Sequence, residues 1–157
     1  MSTAAAVRAT AIEAAGDAGG VEDEVVLDFD ARHRRRTLVV TEAGREVLLD
    51  LAEVPSLREG DALVLQDGGR VRVRCAEEAL LEVRPGVAVS LPRLAWHLGN
   101  RHLPTEIGAD ALWLREDHVI EDMLGKLGAE VRHVRRAFHP EGGAYGHGRT
   151  HGHDHAH

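Results

Sequence analysis

The hydrophobic pattern of this chain changes its period near residue 77, and this change constrains the fold more than any other feature of the sequence. Before that point, apolar residues come in short runs separated by turn residues. Beyond it, apolar residues at helical spacing alternate with further short runs. Short runs between turn signals indicate strands, whereas spacings of three and four residues indicate helices. The sequence therefore predicts two regions of different class within 157 residues, a length that fits one domain or two small ones.

The first region, residues 1–76, is predicted to be an all-β domain. Its strand-like runs lie at 25–27, 37–40, 47–49, 62–65 and 71–73. The segment Asp67-Gly68-Gly69 suits a tight hairpin turn that requires a positive φ. Residues 1 to about 22 are rich in Ala and Gly with little alternation, so we expect a loose arm that contributes at most one edge strand, near residues 7–12.

The second region, residues 77–141, is predicted to alternate strands and helices. The expected elements are a strand at 79–83, a helix from 91, strands at 105–107 and 111–114, a helix from 118 to 127 and a strand at 130–134. Ser90 and Asp117 are suited to cap the two helices, and Gly128 is suited to end the second in a left-handed conformation. The order β-α-β-β-α-β is typical of a ferredoxin-like domain, in which two helices cover one face of an antiparallel sheet. The predicted fold class is α+β.

Charge and composition exclude several classes of function. With 19 basic and 26 acidic residues the net charge is −7, which disfavours binding to nucleic acid through its phosphates. The sequence shows neither a signal peptide nor an apolar run long enough to span a membrane, so we expect a cytoplasmic protein. Cys75 is the only cysteine, which excludes an internal disulfide and any zinc site built on several thiolates. Imidazole and carboxylate remain as the main metal ligands.

Histidines are concentrated at the end of the chain. Residues 142–157 contain five glycines, almost no apolar residue, and five of the eleven histidines, namely His147, His151, His153, His155 and His157. Such a segment cannot form a core, so we expect a disordered tail whose imidazoles converge on a metal ion. A purification tag is the main alternative, but the interrupted spacing favours a native tail. Imidazole binds nickel, copper and zinc alike, so the tail does not identify the metal.

Two histidines of the second region are further candidates for metal binding. The apolar stripe of the first predicted helix consists of Leu91, Leu94, Ala95 and Leu98. His102 continues this stripe, where a lone histidine is by default a packed core residue, although the helix end could also meet a partner. His118 lies in the first turn of the second predicted helix, four residues before Asp122. This pair is as consistent with local structure as with a ligand and its supporting group.

No pattern in the sequence indicates an enzyme. It has neither a Gly-x-Ser-x-Gly segment nor a phosphate-binding glycine-rich loop with lysine, and its single lysine lies on an ordinary helix. One basic cluster, Arg32, Arg34, Arg35 and Arg36, could contact an acidic partner, although such runs are more often solvated faces.

Three segments of the chain, taken together, resemble a known family. Residues 96–104 read Trp-His-Leu-Gly-Asn-Arg-His-Leu-Pro, residues 117–124 read Asp-His-Val-Ile-Glu-Asp-Met-Leu, and the His-rich tail follows. This combination is similar to the UreE family of urease accessory metallochaperones. Segments 44–47 and 57–63 extend the resemblance into the first region, so that it covers the chain from about residue 23 to its end.

The resemblance implies a homodimer that carries Ni²⁺ and delivers it to apo-urease together with a GTPase accessory protein. It also implies that each subunit contributes His102 to a nickel site at the dimer interface. His118 would be an auxiliary ligand, weakened because Glu116 replaces a histidine that some relatives carry. The first region would dock urease or another accessory protein, with the arginine cluster as the expected contact. Two alternatives remain open: a cytosolic buffer or delivery protein for copper or zinc, and a peptide-binding module whose tail is incidental.

Overall fold

A computed structural model describes residues 5–16 and 20–142 of the chain. The chain divides into two compact units, one ending at Ala76 and the next beginning at Glu77. The predicted disordered tail lies outside the described residues except for its first residue, Gly142. One mixed sheet, one antiparallel sheet and two helices make the fold α+β, as predicted.

The first unit is built on one six-stranded mixed sheet. Its strands are β1 (Val7–Glu13), β2 (Asp23–Leu27), β3 (Arg36–Val40), β4 (Glu46–Asp50), β5 (Ala62–Leu65) and β6 (Arg70–Cys75), with a short 3-10 turn at Ala31–His33. They lie in the order β2-β6-β5-β1-β4-β3. The pairs β1–β4 and β2–β6 are parallel, and the other pairs are antiparallel. The five strands expected between residues 25 and 73 are therefore confirmed, and the strand expected near residues 7–12 is present as β1.

Period-two alternation produces the core of this unit, because successive strand residues face opposite sides of the sheet. The buried cluster consists of Ala9, Val25, Leu27, Val39, Val47, Leu49, Leu51, Leu57, Leu63, Leu65, Val71 and Val73. The turn between β5 and β6 matches its prediction, since Gly68 has φ 91° and its N–H donates to the Leu65 carbonyl over 2.9 Å.

The prediction of a loose N-terminal arm is wrong for β1. This strand lies inside the sheet, parallel to β4 and antiparallel to β5, and Ala9 is fully buried. The sequence indicated an edge strand here but not its central position, because its core-facing residue is a small alanine and both partner strands lie far along the chain. Pairing with two neighbours therefore decides a position in the sheet that local propensity does not indicate.

The second unit contains four strands and two helices. They are β7 (Glu77–Arg84), α1 (Leu91–Asn100), β8 (Glu106–Ile107), β9 (Leu112–Arg115), α2 (His118–Leu127) and β10 (Glu130–Ala137). The sheet has the order β10-β7-β9-β8, and every neighbouring pair is antiparallel. Neither helix, in the part of the chain that the structure describes, is long and apolar enough to cross a membrane.

Both helices begin where the sequence predicts. The Ser90 hydroxyl accepts the Arg93 N–H over 3.4 Å, and the Asp117 carboxylate accepts the N–H groups of Val119 and Ile120 over 2.9 and 3.2 Å. The apolar helix faces then pack on the sheet around a core of Leu81, Val83, Val89, Leu94, Leu98, Leu112, Leu114, Ile120 and Leu124. This packing fixes the two ends of each helix, and with them the candidate site.

Candidate metal centre

His102 lies beyond α1 and not on its apolar face, which corrects the sequence prediction. The helix ends at Asn100, and the imidazole two residues later is exposed to solvent. His102 has φ 59° and is the one residue other than glycine with a positive φ among residues 5–16 and 20–142. The reading of His102 as a packed core histidine is therefore wrong as well.

Backbone hydrogen bonds hold His102 in this left-handed conformation. Its N–H donates to the Gly99 carbonyl over 3.0 Å, and the Leu103 N–H reaches back to the Leu98 carbonyl over 3.3 Å. These two bonds form a Schellman motif, in which the left-handed position is usually glycine. The Leu103 side chain packs against the core cluster that contains Leu98, as the motif requires. A side chain at such a position costs about 1–2 kcal/mol, so His102 is retained at an energetic cost.

His118 occupies the first turn of α2, as predicted, and its imidazole is exposed. It lines a shallow groove on the outer side of the helix, together with Val119, Asp122, Met123, Lys126 and Leu127. The side chains of His118 and Asp122 are four residues apart and therefore lie on one helix face. This face offers an imidazole and a carboxylate beside apolar groups.

The structure does not gather these candidates into a closed site. Within residues 5–16 and 20–142, no three His, Cys, Asp or Glu side chains form a group that could enclose a metal ion. Cys75 is half-buried, and burial raises the pKa of its thiol, which favours the protonated form over a metal-binding thiolate. His147, His151, His153, His155 and His157 lie outside the described residues.

Sequence reasoning missed His133, which has the best-defined partners of any histidine in the described residues. Its Nδ1 lies 2.6 Å from Glu116 Oε1, and its Nε2 lies 2.6 Å from Glu121 Oε1. Hydrogen bonds to these two carboxylates, first Glu116 and then Glu121, raise the pKa of His133 above its usual value. The signal lies in the register and not in the sequence, because His133 pairs with Leu81 and so faces the helix-covered side of the sheet. Glu116, expected only as a substitute for a histidine, contacts this imidazole.

The arginine cluster of the first unit separates into two parts. Arg32 is buried, with 1% of its surface exposed, and its guanidinium donates to the Leu27 carbonyl over 3.0 Å. This contradicts its predicted role as a docking contact, because the 3-10 turn directs the side chain inward. Arg34, Arg35 and Arg36 remain exposed, and the Arg35 guanidinium also donates to the Leu51 carbonyl over 3.3 Å.

Comparison with known proteins identifies related chains over nearly the whole length. The N-terminal and C-terminal domain models of the UreE urease accessory protein match residues 6–76 and 78–157. The protein named urease accessory protein UreE from Rhodobacter capsulatus is 49% identical over 94% of this chain and 92% of its own.

Two further proteins of that name cover the chain less fully. The one from Paracoccus denitrificans is 55% identical over 84% of this chain and 82% of its own length. The one from Rhodopseudomonas palustris is 54% identical over 85% of this chain, which spans 64% of that relative. On these matches to both halves, the chain belongs to the UreE family of urease accessory proteins.

Proposed function

We propose that this protein is a nickel carrier that delivers Ni²⁺ to apo-urease while the urease active site is assembled. In this proposal it acts in the cytoplasm as a homodimer, together with the GTPase accessory protein, and is not itself an enzyme. The observation that carries the proposal is the exposed imidazole of His102, held in a left-handed conformation at the end of α1. Strain that the surrounding structure maintains at an exposed side chain favours a functional role over a structural one.

The position of His102 suits a ligand shared by two subunits. The imidazole projects from a turn whose backbone is held by two hydrogen bonds. In a two-fold dimer each surface patch meets its own copy, and one such ligand becomes two. Two imidazoles leave coordination positions for water or for tail histidines. An ion that is only partly enclosed can pass to an acceptor by ligand exchange, which a carrier requires.

The remaining candidates take supporting roles in this proposal. We infer that the second unit is a ferredoxin-like domain, which its element order supports, and that it provides the dimer contact. His118 would act as an auxiliary ligand on α2. The five tail histidines would raise the local concentration of ligands near His102, as a tethered second binding module does.

A carrier for copper or zinc is the second candidate. The Irving–Williams order places copper above nickel for a site of imidazoles, so affinity alone does not favour nickel. Membership in a family of urease accessory proteins favours nickel, because urease assembly is the process in the family name. A protein that binds Cu²⁺ or Zn²⁺ but fails to activate apo-urease when loaded with Ni²⁺ would support the second candidate.

The decisive experiment is titration calorimetry with Ni²⁺ on a protein that lacks residues 146–157. We expect His102→Ala to abolish the tightest site in this truncated protein, because the shared ligand is lost from both subunits. His97→Ala is the matched control, since it removes an imidazole one turn away on α1 and should leave the affinity unchanged. Equal Ni²⁺ affinity of His102→Ala and its truncated parent would contradict the role of His102.

A further inference from the structure

Residues 138–142, which follow β10, lead the chain from one edge of the second sheet to the other. They begin at β10, which is one edge strand, and reach β8, which is the other. Phe138 is fully buried on the way, and the Arg115 guanidinium of β9 lies 5.6 Å from the centroid of its ring. The His139 N–H then donates to the Glu106 carboxylate of β8 over 2.8 Å. Buried and hydrogen-bonded residues therefore fix the course of the chain after β10.

Glu106 holds this course with both of its carboxylate oxygens. Its Oε2 accepts a hydrogen bond from the Arg136 guanidinium over 2.6 Å, while its Oε1 accepts the His139 N–H. The Arg136 guanidinium also lies over the Trp113 ring, 4.0 Å from its centroid. Hydrogen bonds between charged groups are about twice as strong as those between neutral groups, and this carboxylate is largely shielded from solvent. Glu106 therefore ties the last residues of β10, and those beyond it, to β8.

This course brings the chain to the turn that carries His102. The Glu141 N–H donates to the Thr105 carbonyl over 2.8 Å. Thr105 follows His102 by only three residues, which span at most about 11 Å. The Thr105 hydroxyl donates to the Leu103 carbonyl over 3.0 Å, so the connection between His102 and β8 is itself hydrogen-bonded. Glu141, immediately before the glycine-rich tail, is therefore held close to the turn of His102.

The position of Glu141 sets the starting point of the tail histidines. His147 comes six residues after Glu141, and His151 comes ten residues after it. Six residues span at most about 21 Å, and a flexible glycine-rich chain of this length averages about 14 Å between its ends. A start at the opposite edge of the four-stranded sheet would lie three strand spacings away, about 14 Å. Because a tethered ligand acts best when its linker matches the span, a start beside His102 favours the first tail histidines.

We propose that Glu106 is a positioning residue for nickel binding, because it directs the chain from β10 to the turn of His102 and so brings the first tail histidines within reach of the ion. Glu106 does not itself bind nickel in this proposal. The inference rests on the proposed role of His102, and it adds the structural element that sets how strongly the tail contributes to nickel affinity.

The test compares Glu106→Ala in two forms of the protein, the full-length chain and the chain that lacks residues 146–157. Titration calorimetry with Ni²⁺ gives the affinity of the tightest site. In the full-length protein we expect Glu106→Ala to lower this affinity about tenfold, because the tail loses its fixed start. In the truncated protein the same substitution should leave the affinity unchanged. An equal loss in both forms would show that Glu106 only supports the fold around His102, and would overturn the proposal.

Glu82→Ala is the matched control for this substitution. Glu82 lies on the same face of the sheet as Glu106, and both side chains are 13% exposed. Its hydrogen-bond partners, Trp113 and Arg84, lie outside residues 138–142. Glu82→Ala should therefore keep the Ni²⁺ affinity of the parent in both forms. A loss in the full-length protein equal to that of Glu106→Ala would contradict the proposal.

Amide hydrogen exchange, followed by NMR, shows whether the course of the chain has changed. Glu106→Ala should speed exchange at the His139 and Glu141 amides by about tenfold or more, since His139 loses its acceptor and Glu141 loses the support of the preceding residues. Unchanged exchange would show that Glu106 does not fix this course. Faster exchange with unchanged nickel affinity would show that the start of the tail does not matter, and either result would overturn the proposal.

A longer linker tests the same inference without changing the contacts of Glu106. Inserting eight Gly and Ser residues after Gly142 raises the separation between Glu141 and His147 to about fourteen residues, and should lower the contribution of the tail to Ni²⁺ affinity about threefold or more. This variant keeps the proposal testable if Glu106→Ala does not fold, and an unchanged affinity would contradict it. If the full-length and truncated parents bind the tightest Ni²⁺ equally, this inference fails, whereas the proposed function stands as long as His102→Ala abolishes that site.

Discussion

The two helices of the second unit end in the same backbone motif but with different residues at its strained position. At the end of α2 the Ala129 N–H donates to the Leu124 carbonyl and the Gly128 N–H to the Gly125 carbonyl, each over 3.0 Å. This repeats the arrangement around His102 at the end of α1. Gly128 has φ 92° and His102 has φ 59°. The same motif therefore has a glycine at its left-handed position in α2 and a histidine in α1.

The surroundings explain why α2 needs glycine. A Cβ atom at Gly128 would lie 3.1 Å from the Ala88 Cβ, closer than side chains normally pack. The corresponding residue after α1 projects into solvent, so its side chain meets only the conformational cost. The comparison shows that the fold tolerates a side chain at the end of α1 but does not require one. An imidazole there is best explained by what it binds.

The largest effect is expected when the end of α1 is made like the end of α2. His102→Gly should lower Ni²⁺ affinity by about 100-fold or more, equivalent to about 2.7 kcal/mol, because a shared ligand is lost. The same change should raise the free energy of unfolding by about 0.5–1 kcal/mol, since glycine adopts the left-handed conformation without strain. Calorimetry and urea denaturation measure the two quantities.

His102→Asn provides the matched control for this exchange. Asparagine tolerates the left-handed conformation better than most residues but lacks the imidazole. It should lose nickel as His102→Gly does, with little change in stability. If either variant kept full Ni²⁺ affinity, His102 would not be a nickel ligand.

The reverse exchange should be destabilising without creating a nickel site. Gly128→His introduces the left-handed strain together with the short contact to Ala88, for a cost of about 2 kcal/mol in unfolding free energy. Chemical denaturation monitored by circular dichroism gives this value. A stability equal to the wild type would show that the end of α2 is as open as the end of α1.

The two helices also differ at their N-termini, where we expect smaller effects on stability. Asp117 accepts two backbone N–H groups and places a negative charge at the N-terminus of α2, whereas Ser90 accepts one, over 3.4 Å. Asp117→Ala should therefore cost about 1 kcal/mol and Ser90→Ala about 0.5 kcal/mol. Equal losses in thermal or urea unfolding would contradict this ranking.

The smallest effect is expected at His133, which is exposed and ties β10 to α2. Because the folded pKa of His133 is raised by Glu116 and Glu121, its stabilising contribution is complete below the unfolded pKa of about 6.5. That contribution is lost as the pH rises through the folded pKa. His133→Gln should therefore lower stability more at about pH 6 than at about pH 9.

An NMR titration of the His133 ring checks the cause of this pH dependence. Glu121→Gln should bring the pKa of His133 down toward its usual value, because one of its two carboxylate partners becomes neutral. Glu130→Gln changes an exposed glutamate on the same strand and should leave the titration in place. If the pKa of His133 were the same in the wild type, Glu121→Gln and Glu130→Gln, the Glu121 carboxylate would not be the cause of the raised pKa.

Local patterns predicted most of the elements because each depends on residues close together in the chain. Strand runs, the caps at Ser90 and Asp117, and the left-handed end at Gly128 were all foreseen from sequence. The prediction placed β1 at an edge of the sheet, which is wrong because its central position depends on pairing with β4 and β5. It also failed at Arg32, because hydrophilic character does not indicate that a turn buries a guanidinium against a carbonyl.

By itself, the sequence determined the class of each unit, the start of both helices, the end of α2 and the family, since periodicity, capping residues and short motifs are local properties. Only the tertiary structure decided that His102 stands outside its helix in a strained conformation, that His133 bridges two carboxylates, and that Glu106 ties the residues beyond β10 to β8. Each of these depends on backbone register and on contacts between residues distant in the chain. Such contacts are fixed only when apolar burial selects one arrangement of the strands and helices.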